Sequence, residues 1–270
     1  NLSYALMIKE VNTQFIVPNL TNTITALATK ATDYAGLPML SKTHGQAASP
    51  TTLGKEFAVF AHRLQQGKKN LLSLPMMGKI NGAVGNYNAH HLVFPKADWE
   101  KIAKIFVEEK LQLTWTPIST QIDTHDWLAR FCYELSLINT ISIDLCRDIW
   151  GYISFNLLKQ KPNEKEVGSS TMPHKINPID YENAEGNFGL STSLSQHLAC
   201  KLPISRFQRD LSDSTALRSL STLISHHLLA QQSLLKGLKK TVANTNQLKQ
   251  ELDLHWEVLA EPIQMIMRRY

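Results

Sequence analysis

The polar run Gly168-Ser169-Ser170-Thr171-Met172-Pro173-His174-Lys175-Ile176-Asn177-Pro178 gathers a glycine, two serines, a lysine and an asparagine within eleven residues. Glycine permits dihedrals that turn backbone N–H groups toward an anion. Lys175 adds a positive charge and Asn177 two amide donors. Such a set can cradle a carboxylate and the charge that develops on it. The same composition suits a solvated linker rich in turn formers, and the residues alone leave both readings open. Downstream, Arg206, Arg209 and Arg218 place three guanidinium groups within thirteen residues. Guanidinium forks suit phosphates and carboxylates; equally, these arginines can pair at the surface with Asp210 and Asp213. His44 stands in Thr43-His44-Gly45-Gln46, and a single histidine between helices is more often structural. His90-His91 and His226-His227 are adjacent pairs, which on a helix do not face one ligand together. No metal site is expected.

Long helices must position these groups. Leu2, Leu6, Ile16, Leu20, Ile24, Leu27, Ala31 and Tyr34 lie close to one helical face. Pro18 should kink this helix and Gly36-Leu37-Pro38 end it. Ser49-Pro50 reads as a helix start, with a capping hydroxyl and proline in the first turn. Leu53, Phe57, Phe60 and Leu64 follow at helical spacing, and a short helix is expected over 97–109. The clearest helix covers 125–158, striped by Leu128, Phe131, Leu135, Ile138, Leu145, Ile149 and Tyr152. Ile141, Leu137 and Cys146 widen that stripe, as in a helix buried against several neighbours. At ~1.5 Å per residue it would run about 50 Å. A polar loop, expected to act as a mobile lid, fills 159–178. Helical pattern returns over 179–199, 214–238 and 247–269. The expected fold is all-α, an elongated bundle of about five long helices. Residues 1–238 are expected to form one helical bundle, and 239–270 to begin a second helical domain. The chain starts without methionine and stops just after a helical run, so it reads as a piece of a longer protein.

Bulk properties narrow the function classes. The chain has 270 residues, 43% hydrophobic and 19% charged, with a formal charge of +5 and pI near 9.0. Its basic residues fall in short pairs, Lys68-Lys69, Lys239-Lys240 and Arg268-Arg269, without interleaved aromatics, so nucleic acid is not an expected partner. No apolar run reaches the ~18–20 residues that a membrane span needs. The three cysteines, Cys132, Cys146 and Cys200, contain no CxxC pair. They read as free thiols of a reducing compartment, and the expected location is cytoplasmic.

The run 168–178 resembles the signature loop of the fumarase, aspartase and argininosuccinate lyase superfamily, roughly Gly-Ser-Ser-x-Met-Pro-x-Lys-x-Asn-Pro, and matches every fixed position. The His174 variant looks like the adenylosuccinate lyase branch. Thr43-His44-Gly45-Gln46 is similar to the motif that carries that branch's general acid. Gly78-Lys79-Ile80-Asn81-Gly82-Ala83-Val84-Gly85-Asn86, then Gln121, form a third match. Leu202-Pro203-Ile204-Ser205-Arg206-Phe207-Gln208-Arg209-Asp210, then Ser214 to Arg218, form a fourth. Asp123-Thr124-His125-Asp126, Arg147-Asp148-Ile149-Trp150-Gly151-Tyr152 and His255-Trp256-Glu257-Val258-Leu259-Ala260-Glu261-Pro262-Ile263-Gln264 extend the resemblance along the chain.

The resemblance implies the superfamily's central helical domain and a lyase of purine biosynthesis. It implies cleavage of adenylosuccinate to AMP and fumarate, and of the succinyl-carboxamide ribotide SAICAR to AICAR. Ser169 would be the base, His44 the acid, and Lys175 with Asn177 the stabilisers of the dianion. Glu182 would orient His44 from another subunit, and Ser170 would bind a carboxylate. Thr43, Gln121, Asn183, Arg209, Ser214, Thr215, Ala216, Leu217 and Arg218 would contact substrate. No cofactor and no metal are implied, and the partner is a homotetramer with sites shared between subunits. The alternatives are another superfamily lyase, acting on argininosuccinate or fumarate, and a non-enzymatic helical scaffold.

Overall fold

A computed structural model describes residues 2–161, 172 and 175–270. The expected lid falls mostly outside these residues, and Gly168, Ser169 and Ser170 lie there too. The chain opens with α1 (Leu2–Val11), a π-helical turn (Asn12–Ile16) and α2 (Val17–Asp33). A hairpin of β1 (Pro38–Thr43) and β2 (Gln46–Thr52) leads into α3 (Leu53–Ser73). Then come β3 (Met77–Gly78), α4 (Asn88–Val93), α5 (Trp99–Ile105), a second π turn (Phe106–Lys110) and β4 (Thr114–Trp115). The longest helix, α6 (Asp126–Ser154), precedes β5 (Leu158–Gln160) and α7 (Ile179–Lys201). The chain closes with α8 (Ser212–Leu217), α9 (Leu220–Lys240), β6 (Thr241–Ala243), α10 (Thr245–Leu254), a 3-10 turn (Trp256–Leu259) and α11 (Ala260–Met267). Helices dominate the described residues. The strands make three two-stranded sheets, β1 with β2 and β5 with β6 antiparallel, β3 with β4 parallel. The all-α expectation holds.

By packing the chain divides into two compact units. The first comprises Asn1–Leu20, Gln66–Thr140 and Asn187–Leu229. Its first helix buries Ala5, Ile8, Asn12, Ile16 and Leu20. Leu2 and Leu6, expected on that face, are only half-buried. From Ile8 onward the buried residues run on successive four-residue steps, which drift around a helix of 3.6 residues per turn. The wider π turn absorbs the drift. Pro18 has no N–H for the carbonyl of Gln14 and crowds it; the distortion it imposes is this π turn just before it. The core also carries a polar thread. His227 is fully buried, and its Nδ1 lies 2.6 Å from Asn139 Oδ1. Asn139 in turn donates to Ser191 Oγ at 3.0 Å. The thread joins α9, α6 and α7 through groups that would be costly to leave unpaired.

The second unit comprises Thr21–Gln65, Ile141–Gly186 and Ala230–Tyr270. Here α6 ends at Ser154, short of the expected 158. Asn156 adopts the left-handed conformation, φ +59°. Its N–H donates to Ile153 O and that of Leu157 to Tyr152 O, each at 2.9 Å. This pairing is a Schellman cap with asparagine in the glycine position. Lys159 and Gln160, read as loop, are instead the end of β5. Ile141 and Cys146 are buried as expected. Leu137, on the part of α6 in the first unit, is 49% exposed and does not belong to the core stripe.

Ser49-Pro50 does not start a helix. Both residues lie in β2, and α3 begins at Leu53. The cap is Thr52, whose Oγ1 accepts from Lys55 N at 3.2 Å. Proline is tolerated in β2 because this sheet has only two strands, each of them an edge.

Candidate active site

The hairpin places His44. Thr43 pairs with Gln46, leaving His44 and Gly45 as a two-residue turn with φ +53° and +73°. Positive φ at both positions is the type I′ geometry that matches strand twist. Glycine takes it freely, and histidine carries some strain there. Thr43, His44, Gly45 and Gln46 are all exposed. Beside them opens a cavity of about 450 Å³, lined among others by Lys42, Thr43, Gly45, Lys55, Arg147 and Tyr152. Its cations have partners: Lys42 with Glu251 at 2.5 Å, Lys55 with Glu56 at 3.3 Å, and Arg147 with Glu185 at 2.8 Å.

In the same unit, Lys175 is exposed and Asn177 half-buried just before α7. The Lys175 N–H donates to Met172 O at 3.1 Å. Glu182, in the first turn of α7, accepts the Trp150 indole N–H at 3.0 Å. Asn183 donates to Ser233 Oγ at 3.0 Å, and Ser233 donates to Asp180 O at 2.8 Å. Lys240 and Lys236 lie 2.7 and 3.2 Å from the Asp180 carboxylate, pinning the start of α7.

In the first unit the structure brings together Gln121, Arg209 and Ser214, which are distant in sequence. Arg209 Nη1 donates to Gln121 Oε1 at 3.2 Å, and Nη2 to Ser214 Oγ at 3.4 Å. The Gln121 N–H donates to Gln208 O at 3.3 Å, tying the two loops by backbone as well. Arg206 pairs with Asp210 at 3.0 Å, as the surface alternative had it for that arginine. Thr215 and Arg218 are exposed, the latter just beyond α8; Leu217 is buried and can meet a ligand only through its backbone.

Beneath Gln121 lies a set of charged groups that spacing in the sequence did not single out. Lys79 is buried, and its Nζ donates to Thr120 O at 2.6 Å and Gln121 O at 2.7 Å. Burial lowers its pKa to about 8, against a smaller opposing pull from Asp123. Gly85 takes φ +90° and lies so close to this loop that an added Cβ would fall 2.1 Å from Ser119 O. Asp123 accepts the Trp127 indole N–H at 2.7 Å and the His125 backbone N–H at 3.2 Å. The His125 ring is buried between two buried carboxylates, Nδ1 3.6 Å from Asp123 and Nε2 3.6 Å from Asp213. At 3.6 Å neither contact is a hydrogen bond, and Nε2 is left without a hydrogen-bond partner. Burial lowers the imidazole pKa, with Asp123 and Asp213 opposing.

Among the described residues no cluster of three or more His, Cys, Asp or Glu side chains is arranged to hold a metal. No described helix is long and apolar enough to cross a membrane.

The whole chain is 50% identical to the adenylosuccinate lyase of Vibrio cholerae serotype O1 and 51% identical to that of Escherichia coli K12. It spans 59% of the length of each. A crystal structure of 3-carboxy-cis,cis-muconate lactonizing enzyme from Pseudomonas putida superposes with a TM-score of 0.84 over 98% of this chain and 59% of that one. At 22% identity that likeness speaks for the fold alone. A family model described as adenylosuccinate lyase C-terminal matches residues 205–270. The family model described as lyase matches residues 1–189, so the chain belongs to the lyase family, and within that family it is similar from end to end to adenylosuccinate lyases.

Proposed function

We propose that the full-length protein eliminates fumarate from adenylosuccinate to give AMP, and from SAICAR to give AICAR, in purine biosynthesis. The observation that carries this reading is the convergence of Arg209 on Gln121 and Ser214, in a chain half identical throughout to adenylosuccinate lyases. A guanidinium flanked by an amide and a hydroxyl suits a nucleotide phosphate.

The reaction breaks a C–H bond beside a carboxylate and a C–N bond, and forms the C=C bond of fumarate. Ser169 takes the proton. Lys175 and Asn177 hold the dianion that results, and Ser170 binds a carboxylate. His44 protonates the departing nitrogen. Its exposed seat on a hairpin tip lets it serve a site completed by another subunit, where Glu182 orients it. Asn183, Thr43, Thr215, Ala216, Leu217 and Arg218 complete the substrate contacts. The protein works as a homotetramer in the cytoplasm, without a cofactor. Residues 1–238 are its central helical domain and 239–270 the start of the next.

The test is a panel of assays on the full-length protein with adenylosuccinate, SAICAR, argininosuccinate and fumarate. Turnover of the first two alone is expected. Turnover of argininosuccinate or hydration of fumarate points to another lyase chemistry, and inertness toward all four to a scaffold.

A further inference from the structure

Gln121, Asp123, His125, Asp213, Ser214 and Arg209 form a closed circuit of contacts. On its exposed side Arg209 links Gln121 to Ser214. On its buried side Asp123 stands two residues after Gln121, and Asp213 immediately before Ser214, whose hydroxyl lies 3.4 Å from its carboxylate. The His125 imidazole lies between those carboxylates. We infer that His125 is a positioning residue, which fixes the separation of Gln121 and Ser214 and through them the affinity of Arg209 for a nucleotide phosphate. This rests on the reading above that Arg209 receives the phosphate.

The geometry separates the two links. A phosphate on Arg209 competes for the guanidinium N–H groups that now reach Gln121 and Ser214. The exposed link then opens in the bound state, and the buried side joins the two loops. His125 is suited to that place. Its backbone is fixed at φ +62° with its N–H on Asp123, directly before the first turn of α6. Its ring is buried and cannot swing to solvent. From below, Lys79 holds the carbonyls of Thr120 and Gln121. The carboxylates of Asp123 and Asp213 face the ring, and Lys79 acts on Asp123. The ring spans the space between the two carboxylates as one rigid body, which a more flexible amide of similar reach does not.

The test uses the full-length enzyme with His125→Gln and Asp213→Asn. Each should raise KM for adenylosuccinate roughly tenfold, the size of one lost polar contact, and leave kcat within about twofold. Inhibition by AMP should weaken by the same factor. Inhibition by fumarate, which has no phosphate, should not change, and a general loss of structure would weaken both. Arg209→Ala is the reference. In an Arg209→Ala background, His125→Gln should add little, because the two act on one contact. If Arg209→Ala weakens AMP inhibition and His125→Gln does not, the inference is overturned and the phosphate reading stands. If Arg209→Ala leaves AMP inhibition intact, the phosphate reading falls and takes the inference with it. Equal loss of AMP and fumarate affinity, or failure of both variants to fold, assigns the cluster to the fold and overturns the inference as well.

Discussion

His44 carries its imidazole on a backbone at φ +53°, in the left-handed region where asparagine sits more easily than most residues. That separates the shape of the turn from the acid role proposed for the ring. His44→Asn keeps a residue suited to the type I′ turn before Gly45 and removes the titrating ring. In the full-length enzyme it should lower kcat by about 10²–10⁴, the usual range for general acid–base catalysis, with the melting temperature unchanged. A drop in melting temperature that accounts for the lost activity would assign His44 to the turn alone. Arg209 should behave differently. On the proposed reading it grips a phosphate present in both ground and transition states, so Arg209→Ala should raise KM with kcat largely kept. At this scale the resemblance named Gln121, Arg209 and Ser214, and these three meet in the fold. Asp213 beside His125 was not legible as a partner. Nothing local in the sequence announces a contact between a residue before α6 and one inside α8. Lys79 and Asn81 stood in a recognised motif, but the burial of Lys79 under two carbonyls appears only once the loop around Gln121 is folded over it.

The helices hold these residues through their cores, and one core group gives their stability a pH dependence. Burial depresses the His227 pKa from 6.5 to about 3. Between those values the unfolded chain binds a proton that the folded chain refuses. Stability therefore rises with pH across that window and is lost as pH falls through it, by about 1.4 kcal/mol per pH unit for the one proton. His227→Gln keeps an N–H to offer Asn139 and removes the titration. Urea unfolding of both forms at pH 4, 5 and 6 should show a slope in the parent steeper by that amount; parallel curves would refute the assignment. Helix positions were legible because periodicity of 3.6 survives any packing partner. The ends were less so. Ser49-Pro50 has the chemistry of a helix start, yet the chain stays extended through it to pair with β1, and Thr52 caps instead. Asn156 stops α6 by taking a left-handed cap, a role asparagine fills less often than glycine and so signals weakly. The π turn before Pro18 shifted the buried face of α1 from Leu2 and Leu6 to Ala5 and Ile8.

At the scale of the whole molecule, several apolar side chains among the described residues stand exposed. Tyr133 and Leu137, one turn apart on α6, are 51% and 49% exposed, and Leu190 on α7 and Leu229 on α9 are 54% and 53% exposed. Periodicity marks such residues as facing something and cannot say whether it is their own chain or a copy, which is why Leu137 was read into the core. The proposed tetramer would bury them against copies of the chain. That assembly has a consequence that can be measured. If His44 and Ser169 serve one pocket from different chains, two inactive full-length variants should rescue each other. His44→Ala and Ser169→Ala tetramers are mixed, dissociated and allowed to reassemble, with subunit exchange checked independently by mass. A site is intact only when the chain giving the histidine is a Ser169 variant and the chain giving the serine is a His44 variant. Each condition is met half the time under random assortment, so about a quarter of the sites should recover parental turnover, by the closed symmetry of the assembly and with no new contact. A site built within one chain always carries one lesion whatever its neighbours, and mixing leaves it dead. Activity that stays at the level of the separate variants after proven exchange therefore removes the shared site, and with it the role given to Glu182 across the subunit boundary.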